Sequence, residues 1–406
     1  MLTRLALRNI WRNRRRTLLT LSAMVVSSAL LILALGVFSG MLRDMLASAT
    51  EQYYGHLVIS AKGYQDDRDM YRSYTPEAVE KVLQRKETIT GYSLRLRGFG
   101  LLSFARNSAP AELLGVIPAL EEQVTSLQNH LVTGSYLATD SSAGAVLGVG
   151  LARRLGVRPG DELVFVTQAA DGSIGNDLLT VSGVFATGDY GHDNSLVLVP
   201  LGWLQRVMVL PGQIHETALH IDDPLAAAAG AAQLRPLLPA GLEILTWGDL
   251  LPEMREVVAS YNVSRLIVVT ILYLATGLGI LNTFFMSVME RTREFGVLLA
   301  IGMRPGQIRL LIFLETFFMG LFGLAFGILG GVGLSLYMAR VGIDLSGTLT
   351  PITYAGGTIL PRLGAVLEWS NVLIPASCLL AVSLLAGFLP ANRAARMQPV
   401  DAIREE

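Results

Sequence analysis

Lysine is almost missing. Lys62, Lys81 and Lys86 are the only three among 406 residues, which leaves 29 arginines in the Lys+Arg total of 32. None precedes Ser or Thr, so a phosphate loop of the Gly-x-x-x-x-Gly-Lys-Ser/Thr kind is excluded, and any ATP chemistry has to be supplied by another chain. The single cysteine, Cys378, lies in an apolar run. That rules out an intrachain disulfide or a thiolate metal cluster and leaves the role of a small buried hydrophobe. Charge is scarce too: 16% of residues are Asp, Glu, Lys or Arg, against about a quarter in soluble domains. The net charge of −1 carries no basic excess that would point to nucleic acid.

Apolar residues are abundant instead, at 51%, with a mean hydropathy of +0.48. A hydrocarbon layer of about 30 Å needs about 20 apolar residues in helix. Runs 17–38, 266–289, 310–339 and 372–391 have that length, and the third contains one acid, Glu315. Arginines set the orientation. They cluster before the first run (Arg4, Arg8, Arg12, Arg14, Arg15, Arg16), between the second and third (Arg291, Arg293, Arg304, Arg309) and after the fourth (Arg393, Arg396, Arg404). The loop between the third and fourth holds only Arg340 and Arg362, offset by Asp344 and Glu368. Four spans with both termini cytoplasmic satisfy the whole pattern. A cleaved signal is disfavoured, because the first run is longer than a signal core and Arg43 and Asp44 intrude before Ala47-Ser48-Ala49. Leu2, Leu5, Leu7, Ile10 and Trp11 alternate with arginines, which predicts an interfacial helix over 1–16 on the inner leaflet.

Residues 40–262 then lie outside, enough for a large mixed α/β domain. Strands are expected at 56–60, 94–104, 162–167, 178–185, 195–199 and 217–221. Thr75-Pro76 opens a helix to about Gln84, and Asp223-Pro224 opens the alanine-rich run to Leu238. Arg158-Pro159-Gly160-Asp161 reads as a turn. Helix is expected from Glu253 straight into the second span, and from Ser39 to Tyr54 beyond the first, interrupted only at Gly40. Such rods are suited to carrying a push across the membrane.

Several patterns look chemical and are discounted. His215 and His220 miss the zinc-protease signature, because i, i+5 spacing puts them about 140° apart on a helix and on opposite faces of a strand. A zinc peptidase centred on His215 is the enzymatic alternative. His192 with Asp189 and Asp193 reads as a solvated loop cluster. Gly277-Leu278-Gly279 lies within a span, where no dinucleotide loop can form. Gly323, Gly327 and Gly331, spaced by four, let helix backbones approach, either within the subunit or against a second one. Glu315, an intramembrane acid, is a functional candidate or a residue reaching the cytoplasmic interface.

The junction from Met289 to Met303 is charged at its start (Glu290, Arg291, Arg293, Glu294), apolar in its middle and broken by Gly302 and Pro305. A short helix there would offer Val297, Leu298, Leu299 and Ile301 to a groove in a partner. This stretch, with Gly296 and Gly302 in place, resembles the coupling-helix motif of FtsX/MacB-type ABC permeases, an Arg-x-Arg-Glu-x-Gly core followed by Ala-x-Gly. The tail with Pro390, Arg393, Arg396 and Pro399, ending Ala402-Ile403-Arg404, is similar to that family's tail. Glu315 matches its recurrent acid, and the segment from Gly148 to Asp161 is similar to its outer domain. Gly55-His56-Leu57-Val58-Ile59 with Gly63-Tyr64 leans toward the lipoprotein-releasing LolC/LolE-like branch.

The resemblance implies an α-helical membrane protein of the inner membrane with four transmembrane helices and a MacB-like periplasmic core domain between helices 1 and 2. Its segments are 1–16 interfacial helix, 17–39 first span, 40–262 outer domain, 263–289 second span and 290–308 coupling helix. The third span at 309–339, an outer loop at 340–371, the fourth span at 372–391 and a tail at 392–406 complete it. It implies a dimer with a second permease copy or paralogue, two cytoplasmic ABC ATPase subunits that hold the ATP and magnesium, surrounding lipid, and a periplasmic lipoprotein carrier or adaptor. No catalytic residue, cofactor or metal is expected on this chain, and no nucleic acid. Lipoprotein release is the leading function. MacB-like efflux is an alternative, although MacB-type pumps carry a fused nucleotide-binding domain; an FtsX-like regulator of cell-wall hydrolases is the other.

Overall fold

In the computed structural model, which describes residues 2–12, 14–85, 88–138, 143–344, 352–354, 357–359 and 362–396, the chain divides into two compact units. One comprises Met1–Arg43, Ala259–Thr350 and Pro361–Glu406; the other comprises Asp44–Val258 and Pro351–Leu360.

In chain order, α1 (Leu2–Arg12) and α2 (Arg14–Glu51) come first. Ten strands follow: β1 (Leu57–Ala61), β2 (Gly91–Phe104), β3 (Asn107–Val116), β4 (Leu131–Gly134), β5 (Gly144–Gly148), β6 (Glu162–Gln168), β7 (Ile174–Phe185), β8 (Leu196–Pro200), β9 (Glu216–His220) and β10 (Leu242–Thr246). Helices α3 (Val149–Leu155), α4 (Leu201–Val207) and α5 (Ala227–Leu234) are set among them. Then come α6 (Pro252–Glu290), α7 (Thr292–Ala300), α8 (Pro305–Val341) and α9 (Trp369–Ala395).

Four of these helices are long and apolar enough to cross a membrane: Thr17–Glu51 of α2, α6, α8 and α9. α1 ends at Arg12, and Arg14–Arg16 already belong to α2, since arginine is a good helix former and no breaker follows. The interfacial helix is therefore shorter than the expected 1–16. The interruption expected at Gly40 is absent, because α2 runs through it. That glycine serves a close approach: a Cβ there would strike the Gly364 carbonyl. Gly323, Gly327 and Gly331 of α8 face α2 of the same chain. A Cβ on each would come within 2.9, 2.7 and 2.8 Å of the Cβ atoms of Met24, Ser28 and Ile32. Two matched four-residue rows thus bring the helices together.

The strands of the second unit form a branched sheet. β2 pairs β3, β3 pairs β8, β8 pairs β5, β5 pairs β7, β7 pairs β6, and β6 returns to β2, so six strands close a ring. Alternate residues of that ring, among them Leu102, Leu113, Ala145, Leu163, Phe165, Leu179 and Val197, enter one buried cluster. The opposite parity, including Leu114, Val146, Leu196 and Leu198, enters a second with Tyr53 and Phe185. The first half of β2 instead pairs β9, which leads on to β1 and β10.

The expected strands all occur within a few residues, and β3, β4, β5 and β10 are additional to them. Pro110 argues against a strand, but it lies outside the part of β3 that pairs with β8, Glu112–Val116. β5 is a five-residue buried run between glycines, which carries no periodicity to read. The His192 cluster is not a solvated loop. Asp189 caps the turn Tyr190–Ser195, and Asp193 is buried, accepting from the Thr187 N–H and hydroxyl at 3.0 Å each.

Candidate functional site

The charged junction after α6 folds as a sequence of local decisions. Thr292 turns its hydroxyl back to the Met289 carbonyl at 2.7 Å and starts α7. Gly302, at φ 98°, ends the turn that follows α7 in a conformation glycine adopts without strain, and Pro305 begins α8. Along α7 the residues divide by face. Phe295 is fully buried among Val288, Ile308, Ile312, Ala391 and Ala394, with Leu298, Leu299 and Met303 packed against the same cluster. Gly296 is buried beside it, while Arg293, Val297 (47% exposed) and Ile301 (76% exposed) face outward. Of the four apolar residues expected to face a partner, Val297 and Ile301 remain available. Leu298 and Leu299 are drawn inward by the helical period, which places them one turn from Phe295 and Met303.

The charges are committed to one another. The Arg291 guanidinium reaches both oxygens of Glu315 on α8, at 2.9 and 3.2 Å, touches Glu294 at 3.3 Å and lies 5.0 Å over the Phe295 ring. Asn9 of α1 donates to Glu315 at 2.7 Å, and Arg12 of α1 grips both carboxylate oxygens of Glu294. Burial pushes the Glu294 carboxyl up, but Arg12 and Arg291 outweigh it and hold it below the usual carboxylate range. A chain Arg12–Glu294–Arg291–Glu315 therefore pins α1 and α7 to α8. A polar cleft beside it is lined by Thr17, Thr20, Thr283, Ser287 and Glu290.

Glu315 is buried and is held by Asn9 and Arg291 of the charged junction. Glu294 is engaged within the chain. Nothing in the spacing joins Asn9 to Glu315 or Arg12 to Glu294; the one available signal was that an acid in an apolar helix needs a partner, and Arg291 was the nearest candidate. Pro390 is buried within α9, Arg393 lies 5.1 Å over the Phe285 ring, and Arg396 is exposed just past α9. Pro399 lies outside the described residues.

The FtsX-like permease C-terminal family matches residues 266–399, which include α7 and the whole of α8. The MacB-like periplasmic core domain matches residues 17–237, more than half of the chain. The chain belongs to the FtsX/MacB-type permease family. Among relatives of this permease, the lipoprotein-releasing system transmembrane protein LolC of Xylella fastidiosa is 26% identical over 390 residues, covering 93% of this chain and 90% of that protein. LolE of Haemophilus influenzae is 25% identical over 332 residues, 80% of each. The macrolide export ATP-binding/permease protein MacB of Wolinella succinogenes is 23% identical over 421 residues, 99% of this chain and 60% of that one.

A zinc peptidase at His215 is incompatible with the permease's second unit. His215 accepts from the Arg97 N–H at 3.2 Å through Nδ1, and its Nε2 lies 3.0 Å from the Met70 carbonyl, so both nitrogens are engaged. Its ring stacks on Tyr64. His220, pointing the other way, meets His56 and Glu51 instead. Burial and the neighbouring His220 ring push His56 down to about 4, so it stays neutral at neutral pH.

Proposed function

We propose that this chain is the permease subunit of an inner-membrane ABC transporter. ATP and magnesium bind a separate cytoplasmic ATPase, and its motion passes through α7 into the four spans and on to a periplasmic domain carried between the first and second. The termini are cytoplasmic, as the arginine distribution requires. The observation that carries the reading is α7 itself: two exposed apolar side chains, Val297 on the helix and Ile301 just past its end, with the helix held to α1 and α8 by the Arg12–Glu294–Arg291–Glu315 chain. A push on that helix is taken up by these ion pairs and by the buried Phe295, not by a slack loop.

The cargo we infer is lipidated protein, lifted from the outer leaflet and passed to a periplasmic carrier. The similarity to LolC and LolE over 90% and 80% of their lengths supports this over efflux, since the chain spans 60% of the compared MacB. A second permease copy or paralogue completes the assembly.

The test is to replace Val297 and Ile301 by Asp in the complex with the co-expressed ATPase. Co-purification of the ATPase is expected to fall about tenfold or more, the loss of two apolar anchors at about 1.4 kcal/mol per decade. Membrane insertion and thermal stability should stay unchanged. ATPase recovery equal to wild type overturns the docking role of α7. Failure of the reconstituted complex to release a lipoprotein from proteoliposomes overturns the cargo.

A further inference from the structure

Three residues distant in sequence converge where α2 enters the second unit. Glu51 is the last residue of α2, His56 directly precedes β1, and His220 ends β9. Their ligand atoms all lie within 4.8 Å of one another. Both Nε2 atoms face one oxygen, Oε1 of Glu51, at 4.0 Å from His56 and 3.9 Å from His220. Those separations are too long for hydrogen bonds. The Nε2 of His56, a residue 1% exposed, has no hydrogen-bond partner, an arrangement that costs free energy unless something else binds there.

We propose that Glu51, His56 and His220 form a binding site for Zn²⁺ that clamps the end of α2 to β1 and β9. The donor set, two imidazoles and a carboxylate, is one zinc takes with a water in the fourth position. Zinc bonds of about 2.1 Å at tetrahedral angles put ligand atoms about 3.4 Å apart. Closing the histidine–carboxylate separations from 3.9–4.0 Å needs shifts of about half an ångström, which the Glu51 side chain, 39% exposed, has room to make, and the two histidine nitrogens, within 4.8 Å of each other, close by at most about 1.4 Å. The outer partners zinc-bound histidines require are in place. The Nδ1 of His56 lies 2.9 Å from the Ile221 carbonyl and 3.1 Å from the Ile221 N–H, which is aimed at it as a donor; metal on Nε2 selects the tautomer that donates to the carbonyl and gives up the bond from that N–H. The Nδ1 of His220 lies 2.8 Å from the Thr90 hydroxyl. A helix C-terminus also favours a cation electrostatically.

The position gives the site a role. β1 pairs β10 in the register Leu57↔Thr246, and the Trp247 N–H donates to the His56 carbonyl at 3.1 Å. The end of α2 and the segment leading into α6 thus leave the sheet side by side at His56. Zinc there would fix the angle of that root by cross-linking helix end to sheet.

The full chain in detergent, stripped with chelator, is titrated with Zn²⁺ alone against a chromogenic competitor, and hydrogen exchange is followed at residues 50–57. One zinc per chain with sub-micromolar Kd is expected, with slower exchange at those amides. His220→Gln and Glu51→Gln are each expected to bind at least about tenfold more weakly; His130→Ala, outside the cluster, should bind as wild type does. Wild-type binding no tighter than about 10 μM (about −7 kcal/mol), or undiminished binding by His220→Gln, overturns the proposal. The measurement needs no ATPase, so its failure leaves the transport reading standing, and the converse holds too.

Discussion

Replacing Arg291 by Met keeps the aliphatic stem over Phe295 but removes the charge that faces Glu315. At 2.9 Å, two unit charges in an effective dielectric of about 20 attract by about 6 kcal/mol. Desolvation of both ions offsets much of that, so the pair itself contributes little net stability. The variant differs, because the Glu315 carboxylate, its side chain 10% exposed, keeps only the Asn9 amide among the partners described above. Orphaning a buried charge costs about 3–5 kcal/mol, and the 18% exposure of Arg291 places this case near the lower end, about 3 kcal/mol. Adding Glu315→Gln removes the orphan and should return the chain to within about 1 kcal/mol of wild type. Glu294→Gln, which touches the more exposed arm, should cost under about 1 kcal/mol. A double-mutant cycle by SDS-titration unfolding of the full chain reads all of these. Arg291→Met within about 0.5 kcal/mol of wild type, or a double variant no better than the single, refutes the account of Glu315 as an anchor.

The glycine row gives a contrast within one helix. Gly327→Ala should destabilise the chain by about 1–3 kcal/mol through overpacking, since its Cβ would sit 2.7 Å from Ser28 Cβ. Gly333→Ala, with nothing within 4 Å, should be neutral or stabilising in the same unfolding assay, and equal effects would dismiss the matched rows. Acid should act on β9 through Glu216. Burial pushes this carboxyl up, but Arg97, then Arg68 and Arg95, outweigh it and hold it at about 2, against an ordinary 4.5. A depressed carboxylate contributes its full stability above the unfolded value and loses it as pH falls through the folded one. Amide protection in β2 and β9 should therefore hold down to about pH 5 and decline between 4.5 and about 2. Glu216→Gln should flatten that decline, and a profile as steep as wild type counts against it.

The four long apolar helices are legible because length and apolarity alone define them. The long strands β2, β6 and β7 announce themselves as apolar-rich stretches of seven residues or more. β5 and β10 are short, and what makes them strands is the neighbour each pairs with, which a linear reading does not contain. The charged junction after α6 is visible as composition, yet composition does not say that Leu298 turns inward while Val297 stays out, nor that Glu294 is already taken by Arg12, 282 positions earlier. The spacing of His215 and His220 correctly argued against a shared site. It could not disclose that His220 finds Glu51 and His56, because strand register, not sequence distance, brings them together.

The ring of strands has a consequence for what can stick to it. Among the described residues, β10 and β4 are the strands of this sheet with a partner on one side only. β10 has five residues, β4 has four, and the ladder of β4 is broken by a register shift between Leu131 and Thr133. Short, irregular borders make poor templates for backbone pairing with a foreign chain. A foreign chain lying beside this sheet is thereby hindered from zipping onto it, and contacts there fall to side chains.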